Sequence, residues 1–101
     1  TKATPEEIKV FKGMLEDLIG TRGAHILDNK LNIMGKVPVS ELQTTLKRLT
    51  ENVYAVVFDG VIDRDIVRIA ERINVNYLVA MDLKIRPTDT RIEVLTVNDL
   101  G

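Results

Sequence analysis

Asp59, in the pair Asp59-Gly60, and Asp82 each follow a short run of apolar residues. Two carboxylates just past the carboxyl ends of neighbouring parallel strands could orient a ligand, because open α/β sheets tend to bind in the crevice at those ends. Lys84 and Arg86 follow on what reads as a loop, and their cationic heads could add phosphate contacts. A simpler reading makes Asp59-Gly60 a turn and Asp82 the start of a solvated loop. The frequency of Asp-Gly at turns and the lack of a third ligand favour it.

A second constellation is Arg64, Arg68 and Arg72, which recur every four residues. On a helix they form a basic stripe opposite the apolar face, able to meet RNA phosphate or an acidic partner. Asp65 and Glu71 are interleaved at three-residue spacing from Arg68, so a solvated face laced by ion pairs explains the same letters. His25 is the only histidine and there is no cysteine, which leaves no ligand set for a transition metal. Of four aromatic residues, Phe11 and Phe58 fall on core faces, so a base-stacking platform is not expected. Tyr54 and Tyr77 begin central strands and are read first as packing residues with a hydroxyl to place at the sheet edge. Met14, Met34 and Met81 read as core filler.

These side chains must be held by the stretch Val53 to Met81. Its apolar runs Val53–Phe58 and Tyr77–Met81 do not alternate with polar residues, as strands covered on both faces do not. Between them Ile66, Ile69, Ala70 and Ile73 form a helical stripe, with Asp63 as its cap and Asn74 suited to a left-handed end. The result is a parallel β-α-β unit. Upstream, Thr4-Pro5-Glu6-Glu7 opens a helix through a capping box, and Ile8, Phe11, Met14, Leu15 and Leu18 line its buried face up to Gly20. Ala24–Leu27 and Leu31–Val37 read as a hairpin turning at Asp28-Asn29-Lys30, ended by Pro38. Ser40-Glu41-Leu42-Gln43 reads as a second capping box, with Leu42, Leu46 and Leu49 inward. Thr50-Glu51-Asn52 leads into the central unit. Asp82–Thr90 reads as a polar loop and Arg91–Val97 as an edge strand with Ile92 and Val94 inward. The expected fold is α/β, a mixed sheet of about five strands around a central parallel β-α-β unit, preceded by a helix and a β-hairpin.

The chain has 101 residues, enough for one domain with one modest core, and 45% hydrophobic residues, enough to fold. It starts at Thr1 directly before a helix cap, so residues 1–101 are expected to be a single domain excised from a longer chain. With 14 basic and 15 acidic side chains the formal charge is −1, which gives no overall field toward nucleic acid. No apolar run approaches the ~20 residues needed to cross a bilayer. The missing cysteines fit a reducing compartment, and a cytoplasmic location is expected.

The segment Gly20 to Leu42, with Ala24, Leu27-Asp28, Asn32 and Val37-Pro38-Val39-Ser40-Glu41-Leu42, resembles the C-terminal domain of archaeal DnaG-type primases. So do the stretch Val53 to Ile62, then Ala70, Tyr77-Leu78-Val79-Ala80 and Val94-Leu95-Thr96, and the likeness spans Leu18 to Leu100. Asn74 and Ala80 depart from it, standing where that family commonly has glycine. The resemblance implies a parent with a central Toprim domain that binds Mg²⁺ and makes short RNA primers. It also implies a parent that joins the archaeal exosome, an RNA-degrading assembly, by meeting its S1-type cap subunit, and that favours adenine-rich RNA.

A Toprim site needs a glutamate after one strand and Asp-x-Asp after another, so that clustered carboxylates hold Mg²⁺. Here Val61 stands where Asp59 would need a second carboxylate, and Asp63-x-Asp65 lies at a helix start. The expectation is therefore a domain with no catalytic residues and no cofactor of its own. It would dock the parent onto the exosome cap, with replication proteins as further partners, RNA held mainly by other domains, and no membrane contact. Homodimerisation is neither favoured nor excluded. The alternative is a small nucleotide- or ligand-binding α/β domain using Asp59 and Asp82. The first reading predicts an uncovered apolar surface, the second a pocket at the carboxyl ends of the central strands.

Overall fold

The computed structural model describes residues 2–49 and 52–101; Thr1 and the Thr50-Glu51 lead into the central unit lie outside the described residues. Helix α1 (Pro5–Leu18) starts at the expected capping box: the Thr4 hydroxyl accepts from the Glu7 N–H at 3.1 Å and the Glu7 carboxylate from the Thr4 N–H at 3.0 Å. It buries Phe11, Leu15 and Leu18, and Gly20 turns the chain away at φ +85°. Gly13 lies on the open side of α1, so close packing does not account for it.

Strands β1 (Gly23–Leu27) and β2 (Ile33–Pro38) form the antiparallel hairpin. Its connection is longer than the three residues expected. Asp28 Oδ1 accepts from the N–H groups of both Lys30 and Asn32 at 2.9 Å, and Leu31 takes a left-handed φ of +65°. Ile26 pairs with Gly35 but Leu27 with Ile33, so Met34 is an extra residue bulged out of β2. It is 44% exposed rather than core filler.

Helix α2 (Val39–Arg48) corrects the second capping box. Pro38 occupies the cap position and Ser40 lies inside the first turn, with no side-chain cap. The orphan Val39 N–H is satisfied instead by the Arg22 carbonyl at 2.8 Å, so the helix starts straight off the hairpin ladder. Leu42 and Leu46 are buried and Leu49 is half-buried.

The central unit is β3 (Ala55–Phe58), a short β4 (Val61–Ile62), α3 (Arg64–Arg72) and β5 (Tyr77–Ala80). Asp63 caps α3 by accepting from the Ile66 N–H at 3.0 Å, and Asn74 takes the left-handed conformation at φ +60°. The segment read as a polar loop contains β6 (Asp82–Leu83) and a 3-10 turn at Pro87–Asp89. Then come β7 (Glu93–Thr96) and a one-turn helix, α4 (Val97–Leu100), absent from the sequence reading.

The five-stranded sheet runs β2-β1-β3-β5-β7, with β3, β5 and β7 parallel and β1 antiparallel to both neighbours; β4 and β6 make a separate parallel pair. Alternate residues of the parallel strands supply two cores. Val56, Phe58, Leu78, Ala80 and Val94 pack toward α2 and α3, while Ala55, Val57, Tyr77, Val79 and Leu95 pack with Phe11 and Leu15 of α1 and Leu100 of α4. Cover on both faces is why β3 and β5 are buried at every position. It also corrects β7: an edge strand, but with Val94 and Leu95 buried on opposite sides.

Candidate functional site

Asp59 is buried, at 9% exposure, and its carboxylate is already engaged. Oδ2 accepts from the Gly20 N–H at 3.0 Å and the Arg22 N–H at 2.9 Å, so the side chain clamps the turn after α1 to the end of β3. Gly60 sits in a tight place, since a Cβ there would stand 3.1 Å from the Phe58 ring and 3.4 Å from Val39, and those side chains would have to give by a few tenths of an ångström. Asp82 is exposed and accepts from the N–H of its neighbour Leu83 at 2.8 Å. The carboxyl ends of β3 and β5 are bridged by the β4–β6 pair: Met81 N–H donates to the Gly60 carbonyl and Lys84 N–H to that of Ile62. Among the described residues, Asp59, Asp82 and Lys84 thus line none of the clefts described below.

What the structure does bring together is Arg86 with the first half of the basic stripe. Arg64, Arg68 and Arg86 border a groove of about 380 Å³ between α3 and the segment after β6, with Val67 and Ile85 as its apolar lining. Glu71 and Asp89 share it. Arg86 is ion-paired with Asp89 at 3.3 Å; hydrogen bonds from Arg86, backbone first, hold the Asp89 carboxyl below its usual value. The expected pairs of Arg68 with Asp65 and Glu71 do not form: among the described residues Arg86–Asp89 is the one ion pair, and Glu71 accepts instead from the Thr90 hydroxyl at 2.6 Å. Arg72 lies outside the groove. Two guanidiniums on a regular helix beside a third make a cationic, apolar-floored surface suited to carboxylates or phosphates.

A larger cleft, about 770 Å³, opens at the other end of the sheet, where β3 and β5 begin. Asparagines 29, 52, 74 and 76 line it together with Asp28, Met34 and Tyr54. The spacing marks Asn74 as a helix end and Met34 as core; the sequence signal for the cleft is the density of asparagine around the two strand starts. Tyr54 is built in rather than free: its hydroxyl donates to the Glu7 carboxylate and its ring stands edge-on to Tyr77, centroids 5.3 Å apart. Burial alone would raise the Glu7 carboxyl, but the hydrogen bonds from Tyr54 and Thr4 outweigh it and leave it lowered.

Exposed large apolar side chains fall in separate places: Ile33 and Met34 on β2, Val61 on β4, and Ile19 with Val97 at a crevice between α1 and α4. Half-buried His25 has an unpartnered Nδ1, and desolvation, with Lys36 nearby, lowers its pKa. Among the described residues no group of three or more His, Cys, Asp or Glu could hold a metal ion, and no helix is long and apolar enough to cross a membrane.

Comparison with curated proteins finds relatives named DNA primase DnaG. That of Methanothermobacter thermautotrophicus is 40% identical over 80 residues, 79% of this chain and 21% of the relative. That of Methanosarcina barkeri is 35% identical over 98 residues, 96% of this chain and 19% of the relative. That of Staphylothermus marinus is 34% identical over 88 residues, 85% of this chain and 21% of the relative. The chain spans about a fifth of the length of the curated relatives it matches. No family model and no solved structure matches it.

Proposed function

From this kinship with the archaeal DnaG primases we propose that the chain is a C-terminal interaction domain of such a primase, one that docks its parent onto an exosome through the S1-type cap subunit. Primer synthesis, and the Mg²⁺ it would use, belong in this reading to other parts of the parent. The observation that supports docking is the groove in which Arg64 and Arg68, free of ion pairs among the described residues, stand beside Arg86 over Val67 and Ile85. An acidic segment with an apolar side chain suits it: carboxylates take the guanidiniums and the apolar group covers the floor. Glu71 and Asp89 in the same groove disfavour a polyanion such as RNA, whose every residue is negative. The alternative ligand site at the carboxyl ends of the central strands loses its main group, because the Asp59 carboxylate is tied to the Gly20–Arg22 turn.

The test is retention of the chain on a reconstituted exosome with and without the cap subunit, with Arg68→Glu alongside. Retention should require the cap, weaken with salt, and fall about tenfold or more in Arg68→Glu, as removal of one well-placed charge does. Retention without the cap, or none at all from a chain folded by circular dichroism, would overturn the assignment.

A further inference from the structure

The cleft where β3 and β5 begin is lined in part by side chains that the fold itself does not require, those of Asn29, Asn76 and Met34. Left-handed backbone accounts for asparagine at 52 and 74, with φ of 71° and 60°. It does not account for Asn29 and Asn76, which are outside the positive-φ set. The side-chain bonds shaping the hairpin loop run to Asp28. Residue 76 is held through its backbone, N–H to the Tyr54 carbonyl at 2.9 Å and carbonyl to the Glu93 N–H at 3.1 Å. Met34 is a second and independent sign: the bulge takes this residue out of the β2 ladder and leaves it 44% exposed at the side of the same cleft. Bulges re-aim side chains beside binding sites, and an exposed methionine is an adaptable apolar contact.

The lining also selects the ligand. A carboxamide presents one acceptor and two donors, the complement of a peptide group. No Lys or Arg lines the cleft, so it offers a phosphate no countercharge. Arg91, next to it, is turned to the Glu71 carbonyl at 3.0 Å and Asn74 Oδ1 at 3.2 Å. The one charge in the lining is Asp28, whose pKa is lowered chiefly by the Asn32 N–H and also by the charge of Lys30 beside it; the two loop amides bond its Oδ1 and leave Oδ2 for a cation.

We propose that this cleft is a second docking site, for an extended polypeptide segment with an apolar side chain next to a Lys or Arg. Its backbone bonds to the carboxamides of Asn29 and Asn76, its apolar group packs on Met34, and its cation faces Asp28. The site is independent of the groove on α3, from which it differs in charge preference and in the end of the sheet it occupies.

The experiment is selection of displayed random linear peptides on the intact chain, counter-selected on the cleft-filling variant Asn76→Arg. The affinity of the winning peptide is then measured by fluorescence anisotropy. The expected winners carry Lys or Arg beside an apolar residue. Met34→Ala should weaken them about tenfold, Asn76→Arg should abolish binding, and Arg68→Glu should leave it unchanged. Residues 34, 68 and 76 are exposed, so each variant should fold, which circular dichroism melts would check. No enrichment over Asn76→Arg, winners rich in Asp and Glu, equal affinity in Met34→Ala, or displacement of the peptide by oligouridylate would each overturn the proposal.

Discussion

Asp59 and Tyr54 show how far a single residue can be read from its letter. The position of Asp59 after a strand was legible, but its task was not, because the amides that occupy it come from Gly20 and Arg22, distant in sequence. The bond between Tyr54 and Glu7 is hidden for the same reason. It makes a pH-dependent contribution of definite sign. Glu7 has a folded-state pKa below its usual 4.5, so the stability it adds is complete above that value and is lost as the pH falls through the lowered one. Tyr54→Phe should therefore be less stable than the parent by about 1 kcal/mol near neutrality. In urea titrations the gap should narrow once the pH is well below 4.5. A gap that stays constant would assign the loss to packing instead.

Elements follow local chemistry where the local groups also do the work. Thr4 and Asp63 were legible as caps because each bonds an amide three residues on. Ser40 carries the same signature and is idle, since α2 starts before it at Val39 and leaves it inside the first turn rather than at the cap. The pair makes a direct comparison: Asp63→Ala should cost about 1 kcal/mol, and Ser40→Ala should stay within about 0.5 kcal/mol of the parent. Equal losses in thermal or denaturant melts would mean that Ser40 does cap α2. The strand pattern of the central unit was readable because full burial leaves an unbroken apolar run. The one-turn α4 was not, being too short to show a period. The bulge at Met34 was invisible too, because register is decided by the partner strand.

At the scale of the molecule, both cores share one sheet, so neither can melt and leave the other intact. Tyr54 and Tyr77 report only the α1 side, and there is no tryptophan to confuse them. Tyrosine fluorescence and far-ultraviolet circular dichroism should give coincident unfolding midpoints. Separate midpoints would mean that the two layers unfold as separate units. The α/β class and five-strand sheet were legible from periodicity, whereas the Arg64–Arg68–Arg86 groove and the asparagine cleft exist only once distant segments are folded together. Because Val39 bonds back to Arg22, alternation along β2 turns the backbone of Pro38 and Lys36 outward, and Met34 interrupts the ladder above them. A newcomer strand would meet a position with no hydrogen to give, a charge, and a break in the repeat. This side of the sheet is thereby a poor template for fibril growth between crowded copies of the chain, even with Ile33 and Met34 in the open.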